Sequence, residues 1–327
     1  MNSTLLPQVG TEREGTPPQL TRYAWLSIGV AILTILIKTT AYLVTGSVGL
    51  LSDATESLVN LAAAIVALIA LKVACRPADD NHHYGHGKAE YFSAGFEGLM
   101  IFVAASAILV TAVERFLHPA PIESAGLGLA ISTLGSALNG VTAVILLRAG
   151  RAHRSATLIA DGKHLMTDVW TSAGVVLGVL LVAITGWQRL DPLVAAAMGL
   201  NILVTGFRLI AQSTVALLDV ALSPEDDARL RAVLAGYHDG QIAVSDIRTR
   251  QSGQQRFVSL TLLVPGEWTV HRAHDLADEV EAAIAQELPG VAVQTHLEPA
   301  HPPTTGDHGV RCGGRQVMDS TVSNVSS

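Results

Sequence analysis

Four side chains in this sequence have the types and spacing to hold a divalent metal together: Glu56 and Asn60 in "LLSDATESLVNLAAA", and His164 and Asp168 in "ADGKHLMTDVW". Each pair is spaced i, i+4, so on a helix both members project from one face. If the two faces meet, one imidazole nitrogen and three oxygen-bearing groups converge, a donor set for a tetrahedral dication. Either pair alone could equally hydrogen-bond one helix to another. Two matching pairs on different segments favour ligation. A metal ligand must be deprotonated, so protons and metal compete for the same atoms. Histidine titrates near neutral pH, which makes His164 the expected main proton carrier. Asp53 lies three residues before Glu56 and could add a further carboxylate.

Both pairs sit inside apolar runs, where an ionisable residue costs about 2.5–3.5 kcal/mol on insertion scales and marks a function unless it snorkels. The whole chain is of this kind. Of its 327 residues 49% are hydrophobic and 15% charged, and the mean hydropathy is +0.40, so a membrane protein is expected. About 20 apolar residues cross the hydrocarbon, and six candidate spans appear at 22–45, 49–74, 90–117, 122–147, 156–186 and 191–217. Short turns alternate with charged connections, giving three helical hairpins. The charged connections carry Lys72, Arg76 and Lys88, then Arg148, Arg151, Arg154 and Lys163, whereas the short turns are flanked only by Arg115 and Arg189. The positive-inside rule then puts both termini in the cytoplasm.

The apolar runs end near residue 218. Ser223 followed by Pro224 and three acids is a helix start. "SDIRTRQ" and "RFVSLTLLV" read as strands around "SGQQ", "HRAHDLADEVEAAIAQEL" as an amphipathic helix and "VAVQTHLE" as a last strand. The expected organisation is therefore a short disordered arm (1–20), a six-helix transmembrane domain (21–218), a small soluble α+β domain (219–299) and a disordered tail (300–327).

Other classes recede. The net charge is −7 and no basic stripe with interleaved aromatics is present, which argues against nucleic acid as a partner. Cys75 and Cys312 form no CxxC pair, so neither a disulfide framework nor a thiolate zinc site is signalled. No HExxH or GxSxG constellation supports an intramembrane metalloenzyme. A membrane metal sensor or scaffold that binds ions without moving them, with Asn60 read as a decayed ligand, is the alternative to a protein that moves them.

Over residues 20–300 the chain resembles the cation diffusion facilitators, through "SVGLLSDATESLVN", "DDNHHYGHGKAEYFSAGFEG", "ADGKHLMTDVWTSAGV" and "DIRTRQSGQQRFV". Members export divalent metals, zinc and iron among them in bacteria, in exchange for protons. The resemblance implies six transmembrane helices, a cytoplasmic metallochaperone-like (ferredoxin-like) domain, a homodimer and a location in the bacterial inner membrane. It assigns the transport site to Glu56, Asn60, His164 and Asp168, and favours zinc as cargo. Span two of the family usually offers Asp or His followed by Asp. Glu56 and Asn60 depart from that pattern and remove one negative charge. The same resemblance suggests a loop metal site at Asp79, His82 and His86, with His83 as the spare. It suggests a weak site in the soluble domain at His274, His296 and Glu298, where Ser245 and Thr261 replace expected histidines and His271 could substitute. Finally, it pairs Lys88 with Asp219 as a charge interlock at the cytoplasmic ends of spans three and six.

Overall fold

The computed structural model describes residues 19–45, 48–118, 126–238 and 240–300, with the side chains of 44–56 outside that description. The arm to residue 18 and the tail from 301 also lie outside the described residues. Six long apolar helices come first: α1 (Gln19–Thr45), α2 (Val48–Ala74), α3 (Ala89–Leu117), α4 (Gly126–Ala152), α5 (Ala156–Thr185) and α6 (Leu190–Leu217). All six contain a stretch long and apolar enough to cross a membrane.

Two expectations change. Gln19 and Leu20, placed in the arm by sequence, open α1, where Leu20 is fully buried. The basic connection between spans four and five shrinks to His153–Ser155, because Arg148 and Arg151 lie in α4 and Lys163 in α5. Long basic side chains can keep their stems on an apolar helix while the charged heads reach polar surroundings, so a run of them marks a helix end as readily as a loop.

Small residues set the helix packing. A Cβ on Gly206 of α6 would stand 2.8 Å from the Phe102 nitrogen and 3.0 Å from the Gly98 carbonyl of α3, so the two backbones touch there. The start of α5 is fixed by Ser155, whose extended backbone and Oγ, accepting from Leu158 N, form an N-cap. Gly186 ends the helix in the left-handed conformation at φ 72°.

The C-terminal unit runs α7 (Pro224–Ala235), β1 (Ala243–Ser252), β2 (Gln255–Val264), α8 (Val270–Glu287) and β3 (Val291–Pro299). The sheet order is β1-β2-β3. β1 and β2 are antiparallel across a tight turn at Gly253 and Gln254, whereas β3 joins β2 in parallel after the α8 crossover. Alternate residues of β2, Val258, Leu260, Leu262 and Val264, meet Leu230, Leu234, Ala277, Val280 and Ile284 of the two helices in one core. This is the open-faced α+β arrangement expected from the sequence.

Candidate functional site

α2 and α5 bring three of the four expected residues together. Asn60 and His164 are buried, and the Asn60 carboxamide spans the pair on α5. Its Nδ2 donates to Asp168 Oδ2 at 2.6 Å, and its Oδ1 lies 3.0 Å from His164 Nε2. Oδ1 can only accept, so in this arrangement Nε2 carries a hydrogen. A metal taking Nε2 must displace it. The i, i+4 spacing makes the bridge possible, since His164 and Asp168 stand one above the other on α5 and a single side chain from α2 reaches both. The Glu56 and Asp53 side chains lie outside the described residues.

A fourth polar residue escapes the spacing rules. Asn139 of α4, also buried, donates from Nδ2 to the same Asp168 Oδ2 at 3.2 Å. The sequence does carry a signal for it, because "GSALNGV" is an amide inside an otherwise apolar span. Two amides therefore converge on one carboxylate oxygen.

In the α2–α3 connection, Asp79, His82 and His86 form a compact cluster. Among the described residues they are the one group of three or more His, Cys, Asp or Glu whose candidate ligand atoms all lie within 4.8 Å of one another. Asp79 Oδ1 is 3.1 Å from His82 Nδ1, and Oδ2 is 3.3 Å from His86 Nε2. Slight desolvation would raise the Asp79 carboxyl. Hydrogen bonds from the Asn81 and His82 backbone and from the His82 ring outweigh it and hold the group below the usual carboxylate range. One carboxylate and two imidazoles fit a zinc-type dication with a further position left for water. His83 stands apart, lining a cleft with Tyr84, Arg250 and Phe257.

The soluble domain does not gather its expected ligands. His274 pairs with Asp278 at 3.4 Å along α8, His296 lies 3.6 Å from Glu298 on β3, and all are well exposed. His271 faces Asp275 at 3.9 Å. His274 falls outside any cluster with His296 and Glu298 among the described residues. Ser245 and Thr261 are paired across β1 and β2, and Thr261 in turn faces His296 on β3.

The two domains meet at a dense polar seam. Lys88 Nζ is 3.0 Å from Asp219 Oδ1 and donates to the Leu217 carbonyl at 3.1 Å. Asp219 takes the left-handed conformation at φ 59°, which aspartate tolerates better than most residues. Buried Glu90, at the start of α3, accepts from Ser155 Oγ, from Thr157 N at 3.3 Å and from Gln254 Nε2 at 2.7 Å. The Gly253 amide donates to the Tyr91 hydroxyl at 2.9 Å. Gly253 needs its missing side chain, since a Cβ would fall 2.5 Å from the Gly87 carbonyl and φ is +58°. Glu90 thus ties the β1–β2 turn to the first turn of α5, two turns before His164. Its role depends on tertiary contact, which local spacing does not encode.

Six helices long and apolar enough to cross a membrane, with a polar core, followed by a small α+β unit, make this a multi-pass membrane protein. Residues 24–218 match the model of the cation efflux transmembrane domain, and residues 222–300 match that of the cation efflux protein cytoplasmic domain. The chain belongs to this cation efflux family. An uncharacterized transporter of Synechocystis sp. is 50% identical over 286 residues, covering 88% of this chain and 92% of that protein. The cation-efflux pump FieF of Escherichia coli O127:H6 is 32% identical over 280 residues, covering 86% and 93%. A solved structure of CzrB aligns at 40% identity and a TM-score of 0.23, covering 24% of this chain and 99% of that one.

Proposed function

We propose that this cation efflux transporter exports a divalent transition metal from the cytoplasm in exchange for protons, at a site built from Asn60, His164 and Asp168 together with Glu56. The observation that carries the reading is the Asn60 bridge: one carboxamide from α2 engages both His164 and Asp168 of α5. Metal entry exchanges those hydrogen bonds for coordination, and proton return restores them. Asp53 offers a further carboxylate to the same site. Zinc leads as cargo on family grounds. Fe, Co and Mn ions suit the same oxygen-rich donor set with one imidazole, and affinity order alone does not choose among them.

The working unit is a homodimer in the bacterial inner membrane with both termini cytoplasmic, which the match to a cytoplasmic domain of this family and the basic residues at alternate helix ends support. Residues 21–218 move the ion and 219–299 form the cytoplasmic metallochaperone-like domain. Asp79, His82 and His86 take a second metal at the cytoplasmic edge. His274, His296 and Glu298 offer at most a weak third position. Lys88 and Asp219 lock the end of α6 to the start of α3. Nucleic acid has no part.

The test is metal flux into proteoliposomes under an imposed pH gradient, with Zn, Fe, Co and Mn ions compared for the wild type and Asp168→Ala. One or more ions driven by the gradient, with transport lost in the variant, supports the exporter. Ions that bind without moving would make the protein a metal sensor or scaffold instead.

A further inference from the structure

A second group of acids lies buried in the helical domain, beginning one helical turn before His164 on α5 and outside the Asp79 loop. Glu97 of α3 is 0% exposed, and neither of its carboxylate oxygens has a hydrogen-bond partner among the described residues. Ser93, one turn earlier on the same face, has a buried Oγ that is equally unpartnered. Asp161 of α5 is 1% exposed; its Oδ1 accepts from Ser27 Oγ of α1 at 3.2 Å, and its Oδ2 has no partner. The two carboxylates are within electrostatic reach of each other. Ala94 and Ile101, which flank Glu97 along α3, share one core cluster with Ala160, the neighbour of Asp161.

An acid held in an apolar interior is normally supplied with donors, as Asp168 is by two amides. Among the described residues Glu97 has none, and four oxygen atoms from α3 and α5 are left without hydrogen bonds in a region closed to solvent. As bare charge such an arrangement is costly, and either protons or a metal cation must neutralise it during the working cycle. Two carboxylates and a hydroxyl with no nitrogen or sulfur among them suit a hard, oxygen-preferring dication, the Mn(II) class, better than a thiolate- or imidazole-seeking one. Asp161 stands three residues before His164, one helical turn nearer the N-terminal end of α5.

We propose that Glu97, Asp161 and Ser93 form a second intramembrane site for a divalent cation, through which the ion passes between the N-terminal end of α5 and His164. The inference rests on the transport reading above, and its test separates the two. Full-length protein in nanodiscs, with the loop site removed by Asp79→Asn and His82→Ala, is titrated with Mn(II) and the bound ion is counted per chain. Glu97→Gln and Asp161→Asn, each nearly isosteric, are expected to bind one ion fewer than this parent while retaining the ion that Asp168→Asn removes. Asp161→Asn serves as the independent arm if Glu97→Gln is poorly folded. If both carboxamide variants bind as much Mn(II) as the parent, only protons occupy the pair and the site is overturned. If instead Asp168→Asn loses no ion, the transport-site reading fails and the Glu97 site is judged on its own variants.

Discussion

Asn60 donates a 2.6 Å hydrogen bond to Asp168 across the α2–α5 contact, and through its other amide atom it also engages His164. An amide at this point is a neutral mediator: it can give a hydrogen to the carboxylate and take one from the imidazole at once, which an acid side chain cannot do when ionised. Asn60→Asp adds a negative charge among the ligands. It is expected to tighten dication binding by about tenfold, about 1.4 kcal/mol, and to slow release. Equilibrium metal binding and flux measured on the same preparation check this, and unchanged affinity would remove Asn60 from the site.

Asn139 supplies the second hydrogen bond to Asp168. Replacing it by Leu removes one interhelical bond between α4 and α5, worth about 0.6–2 kcal/mol in a helical membrane protein. Thermal unfolding in detergent should fall accordingly. Transport should weaken too, since Asp168 loses one of the two amides that orient it. A variant with full stability and full flux would show that Asn139 is a bystander.

Glu90 joins three segments through buried hydrogen bonds. Glu90→Ala leaves Ser155, Thr157 and Gln254 short of an acceptor, a loss of about 1–3 kcal/mol for a buried unsatisfied group. Glu90→Gln keeps an acceptor and should recover part of it. Denaturation midpoints for the pair separate the two cases, and equal stability of Glu90→Ala and wild type would contradict the role.

At the loop site the Asp79 carboxylate resists acid. Asp79 is held below the usual carboxylate range by its hydrogen bonds, so it stays ionised as the solution is acidified through the region where free histidine takes up protons. The folded carboxyl being depressed, its contribution to the loop is present above the ordinary carboxylate range and is lost only at still lower pH. Acidification should therefore leave the carboxylate ionised at the loop site until below the ordinary carboxylate range, and Asp79→Asn should lower metal affinity at every pH tested. Zinc titrations at several pH values on the Asp168→Ala background read this directly.

Much of this architecture is legible in the residues. Uninterrupted apolar runs can only be satisfied in lipid as helices, and the period-two pattern of "RFVSLTLLV" is the buried face of β2. His164 and Asp168 stand out because two ionisable groups at i, i+4 in an apolar run carry an insertion cost that packing alone does not offset. Asn139 shows only as a lone amide in an apolar span, and Glu90 and Glu97 carry no paired spacing. Each is a single polar residue whose meaning depends on which helix packs beside it, and that pairing is set by close glycine contacts such as Gly206 on Gly98 rather than by any local spacing. The soluble-domain histidines run in the other direction, since family positions suggest a ligand set whose members form no cluster of three within one chain among the described residues.

The central claim is that metal and protons exchange at His164 and Asp168, and the direct measurement follows both in one vesicle. Proteoliposomes loaded with a pH-sensitive dye receive the transported metal outside, with no initial pH difference. Metal entry should raise the lumenal pH as protons leave, and both signals should vanish together in Asp168→Asn. Metal that accumulates while the lumenal pH stays constant would contradict the exchange.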